Sequence, residues 1–241
     1  PVDASKLSSQ YIDDFFKPDE NSLLALDSNG NPIGNKEKMN DINASSLTWK
    51  SATDIFYGQQ KIFVDQIEHL DIKQGSLGDC YFLSAVAALT EFPYLITQIF
   101  RSNFSISYGY FEIVLFIDGE WQIVILDDYL PVYKSNGSLC FSKANGNELW
   151  VVLLEKAWAK VNSGYRNIIA GYENQALNAL TGFPSERYNT STNSMNVDEL
   201  WKLITKFDRL NSVMCATTTV DNSISDLGLV ACHAYSLIGA I

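Results

Sequence analysis

The stretch that decides the fold of this chain is Gln74-Gly-Ser-Leu-Gly-Asp-Cys80, followed by the mostly apolar run from Tyr81 to Leu89. Apolar residues recur at three- and four-residue spacing within this run, which predicts a helix that Pro93 closes. The two glycines before it suit a tight, irregular loop whose backbone approaches a ligand. The pattern therefore predicts Cys80 in the first turn of a helix, directly after a glycine loop.

A cysteine at this position has two interpretations. The free N–H groups and the positive end of the helix dipole stabilise a thiolate, and they lower the thiol pKa toward reactivity. Gln74, six residues earlier, can fold back so that its amide and the Cys80 N–H face a developing oxyanion. Free cysteines are also among the most buried residue types, so a small apolar helix-start residue fits the same local pattern. The local sequence leaves both interpretations open.

Histidine is scarce in this chain, and only His69 and His233 are present. A metal site built from several histidines is therefore excluded, and histidine-dependent nucleophilic chemistry must use one of these two. His69 is the poorer base for Cys80, because it lies eleven residues upstream with the glycine loop in between. A distant histidine on a strand is the usual complement to a cysteine on a helix, which favours His233. A core or solvent-facing histidine remains the alternative for His233.

The rest of the chain changes from helical to strand-like periodicity, with a break near residues 181–196. Asp118-Gly119 predicts a two-residue hairpin turn, and Leu130-Pro131 is predicted to end the second strand of that hairpin. The predicted strands are Tyr110 to Ile117, Glu120 to Leu126, Val213 to Thr218 and His233 to Ile241, and the predicted helices are 148–162, Asn174 to Leu180 and Val197 to about Phe207. This order predicts an α+β fold, helix-rich first and strand-rich second.

Composition restricts the class of protein. The 241 residues are 46% hydrophobic and 19% charged, as in a folded globular protein. The net charge of −11 argues against a general nucleic-acid binder and against a permanent electrostatic anchor on an anionic membrane. A negative net charge is, however, compatible with the binding of divalent cations. The four scattered cysteines predict free thiols in a reducing compartment.

Several segments together resemble one family. The segment from Asp71 through Cys80 to Ala85 closely resembles the active-site signature of the calpain family of intracellular cysteine proteases. Further blocks resemble that family in the same order: Gly119-Glu-Trp121, Leu126 to Pro131, Asn147 to Trp150, Leu154 to Lys160, Thr181-Gly182, and Cys232 to Ala240. The resemblance covers roughly residues 49–241 and is more specific than any single motif.

The resemblance implies a papain-like fold with two lobes. It implies a helical lobe over 49–183 that carries the nucleophile and the start of a β-rich lobe over 184–241 that carries the histidine. Residues 1–48 are polar and lack sustained periodicity, which predicts an N-terminal arm. The arm is expected to pack on the core in places through apolar side chains, namely Phe15, Phe16, Leu23 and Leu24.

The resemblance also implies roles for particular residues. Cys80 would be the nucleophile, His233 the general base and acid, and Gln74 the oxyanion-hole donor. Asp71 and Glu148 stand where the family binds calcium, and their carboxylates are oxygen donors that calcium takes, although ordinary surface acids fit these positions too. The expected activity is limited proteolysis of intracellular proteins, with a cytoplasmic location and protein substrates.

The chain also departs from the family pattern. Cys232 replaces the usual glycine before the histidine, and Phe183 replaces a second glycine at the joint between the lobes. No Asn-Pro-Trp segment follows His233, so we expect this chain to lack the third catalytic residue and the second lobe to be incomplete. Two alternatives follow: a non-proteolytic relative that serves as a scaffold or binding module, and a different cysteine acyl transferase of the transglutaminase kind. The sequence indicates no oligomeric state.

Overall fold

The structure is a computed structural model that describes residues 2–34, 42–143, 145–190, 196–220 and 222–240, except the side chains of residues 222 and 223. Its helices are α1 (Glu20–Leu24), α2 (Ala52–Phe56), α3 (Cys80–Leu89), α4 (Pro93–Ile99), α5 (Trp150–Val161), α6 (Glu173–Thr181) and α7 (Val197–Arg209). Its strands are β1 (Leu47–Ser51), β2 (Tyr110–Ile117), β3 (Glu120–Asp127), β4 (Tyr129–Tyr133), β5 (Met214–Thr217) and β6 (Ala234–Leu237).

Helix α3 is the centre of the core. Nearly every side chain on it is buried, because the run is apolar on all sides rather than along one stripe. Phe82 stacks on Trp158 of α5 with ring centroids 5.5 Å apart, and the Trp158 indole N–H donates to the Tyr81 hydroxyl at 2.9 Å. The run thus continues as the predicted helix, but Pro93 begins α4 instead of only closing α3, since proline suits the first turn of a helix.

The predicted hairpin is confirmed as the β2–β3 pair. Its register runs from Tyr110 opposite Asp127 to Ile117 opposite Glu120, and Asp118 and Gly119 take positive φ in the turn. The prediction that Leu130-Pro131 ends a strand is wrong. Both residues lie within β4, which pairs antiparallel with β1, and a proline is tolerated there because this two-stranded sheet consists of edge strands.

The strand-rich part of the chain lies directly against α3. Strands β5 and β6 pair antiparallel, and both pack on α3, where Ala234 joins the main core. Helix α7 leads into β5 and begins with a capping box between Asn196 and Glu199. Ile241, the predicted last residue of the final strand, lies outside the described residues.

The N-terminal arm is attached more firmly than its polar composition suggests. Phe16 and Leu23 are buried, as predicted, and Leu24 is partly buried against the core. Phe15 is 92% exposed, so its predicted packing is wrong. Asp13 is fully buried and pairs with Lys160 of α5, which shows that ion pairs hold the arm as well as apolar contacts. Residues 35–41 of the predicted arm lie outside the described residues.

These elements make an α+β fold of helices with small antiparallel sheets, as predicted. The boundaries expected between arm and lobes stay a prediction. Within the described ranges, no single helix is long and apolar enough to cross a bilayer. Only α3 and α4 together meet that test by length and composition, and they are bent by 116° at their junction.

Candidate active site

The glycine loop before Cys80 packs tightly against the chain at residues 140–141. A Cβ atom on Gly75 would stand 1.6 Å from the Phe141 carbonyl oxygen, so this position accepts no side chain. The Ser76 N–H and hydroxyl both donate to the Cys140 carbonyl, at 2.9 and 2.8 Å. The loop is therefore held by main-chain contacts and delivers the chain to the start of α3 in a defined position.

Cys80 is the first residue of α3 and is partly exposed. This is the helix-start position that the sequence predicts, and it combines access to solvent with the unpaired N–H groups of the first turn. All four cysteines are free, as their spacing predicts. Burial raises the pKa of the Cys140 thiol, and burial also raises the pKa of Cys215 to about 12. Those two thiols are therefore poor nucleophiles near neutral pH.

Three contacts fix how β5 runs along α3. At one end of the strand, Val213 lines a cavity with Phe92, which follows the C-terminal end of the helix. In the middle, the Cys215 side chain lies close to the Ser84 hydroxyl of α3. At the other end, the Thr217 hydroxyl donates to the Glu173 carboxylate at the start of α6. The strand therefore runs from the C-terminal end of α3 toward its N-terminal end.

The histidine lies at that N-terminal end. Ala234 pairs with Thr217, and His233 immediately precedes it. The segment before Glu173 packs on the first turn of α3, since a Cβ on Gly171 would stand 2.5 Å from the Tyr81 ring. The backbone N–H of His233 donates to the Thr218 hydroxyl at 3.0 Å. The His233 ring packs edge-on against the Tyr235 ring, with the ring centroids 5.0 Å apart.

The chain thus brings Cys80 and His233 to the same end of one helix. In the part of the chain that the structure describes, no hydrogen bond joins the Cys80 thiol to the His233 ring, so their catalytic pairing stays a prediction. His69, the other histidine, is exposed in a short 3-10 turn, His69–Asp71, on the far side of the glycine loop in sequence.

Gln74 lies in the loop with an exposed side chain, and its amide donates to the Leu77 carbonyl at 2.9 Å. The amide is therefore bonded within the glycine loop itself. Because a glutamine amide carries two N–H donors, this bond leaves one donor available. Its role in an oxyanion hole stays a prediction.

Asp71 and Glu148 are both buried, and they lie close enough for the charge of Asp71 to act on Glu148. Burial raises the pKa of the Glu148 carboxyl, and the nearby charges of Asp71 and Asp65 raise it further. One Glu148 oxygen accepts from the Val64 N–H at 2.5 Å, whereas the other is buried and accepts no hydrogen bond from any residue that the structure describes. An unsatisfied oxygen beside a second buried carboxylate fits a hard cation such as calcium.

A calcium ion here would also need backbone carbonyl or water ligands. Among the described residues, no group of three or more His, Cys, Asp or Glu side chains is arranged to hold a metal ion. Two carboxylates supplemented by backbone oxygens remain within the coordination chemistry of calcium, which takes six to eight oxygen ligands.

One feature beside Cys80 was not predicted from the sequence. Asp79 and Glu155 are both buried, and their carboxyls face each other. Burial raises the pKa of both groups. The signal available in the sequence was Glu155 itself, an acidic residue inside the apolar stripe of α5.

Comparison with known proteins identifies the family. A sequence profile described as calpain family cysteine protease matches residues 11–241. Calpain-13 of Rattus norvegicus is 33% identical over 95% of this chain and 33% of its own length. The calpain-type cysteine protease ADL1 of Oryza sativa subsp. japonica is 31% identical over 97% of this chain and 11% of its own length. The calpain-1 catalytic subunit of Homo sapiens is 34% identical over 80% of this chain and 28% of its own length.

The chain spans about a third or less of the length of these relatives. The profile match extends across the glycine loop, α3, the β2–β3 hairpin, α5 and the histidine segment. This chain belongs to the calpain family of cysteine proteases.

Proposed function

We propose that this chain is the catalytic region of a calcium-dependent calpain-type endopeptidase that cuts intracellular proteins at limited sites. The observation that carries the proposal is the placement of Cys80 at the first turn of α3, with the strand that begins after His233 packed along the same end of that helix. A partly exposed cysteine at a helix start and a nearby imidazole are the two groups that thiol acyl transfer requires.

The proposed reaction has two halves. The Cys80 thiolate, paired with protonated His233, attacks the peptide carbonyl carbon and forms a C–S bond. The Cys80 N–H and the Gln74 amide donate to the oxyanion. His233 then gives its proton to the leaving amine as the C–N bond breaks, which leaves a thioester. In the second half, His233 takes a proton from water, the resulting hydroxide attacks the thioester, and the C–S bond breaks to release the acid.

Calcium is proposed to bind between Asp71 and Glu148. When bound, calcium would neutralise two buried carboxylates and would be coordinated by the Glu148 oxygen that accepts no hydrogen bond from the described residues. Asp71 ends the turn before the glycine loop, and Glu148 stands just before α5. These two carboxylates therefore join the loop that leads to Cys80 with the helix that packs on α3.

Thiol labelling tests the nucleophile. An epoxysuccinyl peptide, which alkylates cysteine thiolates, is expected to modify Cys80 at pH 7 faster than the other three cysteines, as followed by peptide mass spectrometry. His233→Ala should slow the labelling and any peptidase activity by about a hundredfold or more, the usual contribution of a general base. His69→Ala is the matched control, since it removes the other histidine from an exposed site. Equal labelling of all four thiols would favour the scaffold alternative.

Calorimetric titration tests the metal. Calcium is expected to bind the chain, and both Asp71→Asn and Glu148→Gln should weaken binding by tenfold or more, because each removes a charged ligand. Glu120→Gln, on the exposed end of the β2–β3 hairpin, is the control. Unchanged binding in both site variants would place any calcium elsewhere, and unchanged peptidase activity in excess chelator would remove the calcium requirement.

A further inference from the structure

The residue before Cys80 departs from normal helix capping. Asp79 is the N-cap of α3, and aspartate is favoured there because its side chain accepts from the first free N–H groups. In this chain the Asp79 side chain makes no capping hydrogen bond, and only its backbone carbonyl accepts, from Phe82 at 2.8 Å and Leu83 at 3.2 Å. The carboxyl is therefore used for something other than capping.

The Asp79 side chain points inward instead, toward α5. It is fully buried, and it faces the carboxyl of Glu155, which is also buried. Apart from Glu155, neither Asp79 oxygen has a hydrogen-bond partner within the described residues. Both Glu155 oxygens accept from the Ser142 N–H, at 2.9 and 3.1 Å, which fixes that carboxyl in place.

Two ionised carboxylates that are both buried repel each other, and each has lost its hydration. One proton held between them removes a charge and creates an O–H···O⁻ hydrogen bond, which is stronger than a neutral one. The surroundings favour that state. Burial raises the pKa of both carboxyls, and the other titratable groups that face the pair are the Tyr81 and Tyr165 phenols and the Cys140 thiol, whose pKa values are raised as well.

We propose that Asp79 and Glu155 hold a proton between them, and that the resulting hydrogen bond positions the first turn of α3, and with it Cys80, against α5. Asp79 and Glu155 are positioning residues, since neither reaches the substrate. The inference rests on the proposed function in that it gives Cys80 a catalytic purpose. Its physical content, a shared proton beside a helix start, can be measured without any peptidase activity.

The shared proton also controls charge beside the sulfur. Loss of the proton at higher pH leaves two negative charges behind Cys80, which disfavours the thiolate. The rate of Cys80 alkylation should therefore depend on the protonation state of the Asp79–Glu155 pair as well as on that of the thiol. Asp79→Asn and Glu155→Gln each keep a hydrogen bond across the contact, through an amide donor, but remove the shared proton.

Infrared spectroscopy and alkylation test the proposal on the whole chain. The wild-type protein at pH 7 is expected to show a carbonyl stretch of a buried neutral carboxyl, and this band should disappear in both Asp79→Asn and Glu155→Gln. Asp54→Asn, which changes an exposed acid in the first turn of α2, should keep it. In iodoacetamide alkylation between pH 5 and 9, Cys80 of the two amide variants should react up to about tenfold faster than wild-type Cys80 above pH 7, where the wild-type pair loses its proton. Asp79→Ala, which removes the bond, should slow alkylation at pH 7 by about tenfold or more.

Three results would overturn the proposal: no neutral carboxyl band in the wild type, a band that persists in both amide variants, or an Asp79→Ala protein that alkylates with the wild-type profile. If Asp79→Ala does not fold, the band and the two amide variants still decide. Failure of the proposed function has a different signature, since unselective labelling of the four cysteines would leave the infrared result intact.

Discussion

Replacement of Gly75 by alanine should both destabilise the protein and reduce the reactivity of Cys80. The added Cβ would lie 1.6 Å from the Phe141 carbonyl oxygen, whereas real Cβ atoms essentially never approach closer than 3.0 Å. The glycine loop must therefore move away from residues 140–141 by about 1.4 Å or more. The atom that blocks the side chain belongs to the main chain, so a rotamer change cannot relieve the overlap.

Such a movement breaks the hydrogen bonds that attach the loop. The two bonds from Ser76 to the Cys140 carbonyl, at 2.9 and 2.8 Å, would stretch beyond bonding distance, and so would the 2.8 Å bond from the Lys143 N–H to the Lys73 carbonyl. At about 1 kcal/mol each, the free energy of unfolding should fall by about 3 kcal/mol. Because the loop leads directly into α3, Cys80 should lose its defined position as well.

Urea denaturation of Gly75→Ala measures the change in stability, and epoxysuccinyl labelling of Cys80 measures the effect on the site. Gly239→Ala is the matched control, because a Cβ there meets open space and the backbone is not in the left-handed region. A Gly75→Ala protein within about 1 kcal/mol of the wild type, with unchanged Cys80 labelling, would refute this explanation of the loop.

Three further predictions follow from buried groups. Lys156→Met leaves the Asp127 carboxylate buried without its partner and should lower the free energy of unfolding by about 3 kcal/mol in urea, whereas Lys50→Met on the exposed face of β1 should change it little. Burial raises the pKa of the Cys140 thiol, so iodoacetamide at pH 8 should modify this cysteine only after denaturation, as judged by peptide mass spectrometry. Burial raises the pKa of Asp79 to about 7, so the folded state keeps a proton that the unfolded state releases near pH 4. Wild-type stability should therefore fall relative to Asp79→Asn as pH rises from 4 to 7, by about 1 kcal/mol or more; parallel stability curves for the two proteins would contradict this assignment.

Local patterns in the sequence predicted the elements whose signals lie within the element. The β2–β3 hairpin follows from β-branched runs on either side of Asp118-Gly119, and its first strand has the predicted bounds. The helical run after Cys80 and the apolar stripe of α5 were predicted for the same reason, since residues three or four apart share a helix face. Strand β4 was missed because its partner β1 lies some eighty residues away, and Pro131 suggested an end instead of an edge strand.

The candidate site, too, was partly predictable from the sequence and partly decided by tertiary packing. A glycine loop followed by a cysteine, in a chain that has only two histidines, made Cys80, Gln74 and His233 candidates without deciding between a catalytic and a structural role. The family resemblance selected them as site residues and added Asp71 and Glu148. No local pattern states which end of α3 meets His233, because that depends on how β5 and β6 run along the helix.

The amino-acid sequence by itself determined that this protein presents a cysteine at a helix start behind a loop that requires glycine, and that the chain belongs to the calpain family. Only the tertiary structure decided that the carbonyl of Phe141 is what excludes a side chain at Gly75, that His233 arrives at the Cys80 end of α3, and that Asp79 turns away from its capping position toward Glu155. The physical reason is range. Propensity and periodicity act between neighbours in sequence, whereas burial of a carboxyl depends on side chains 76 positions apart that meet only when α3 and α5 pack together.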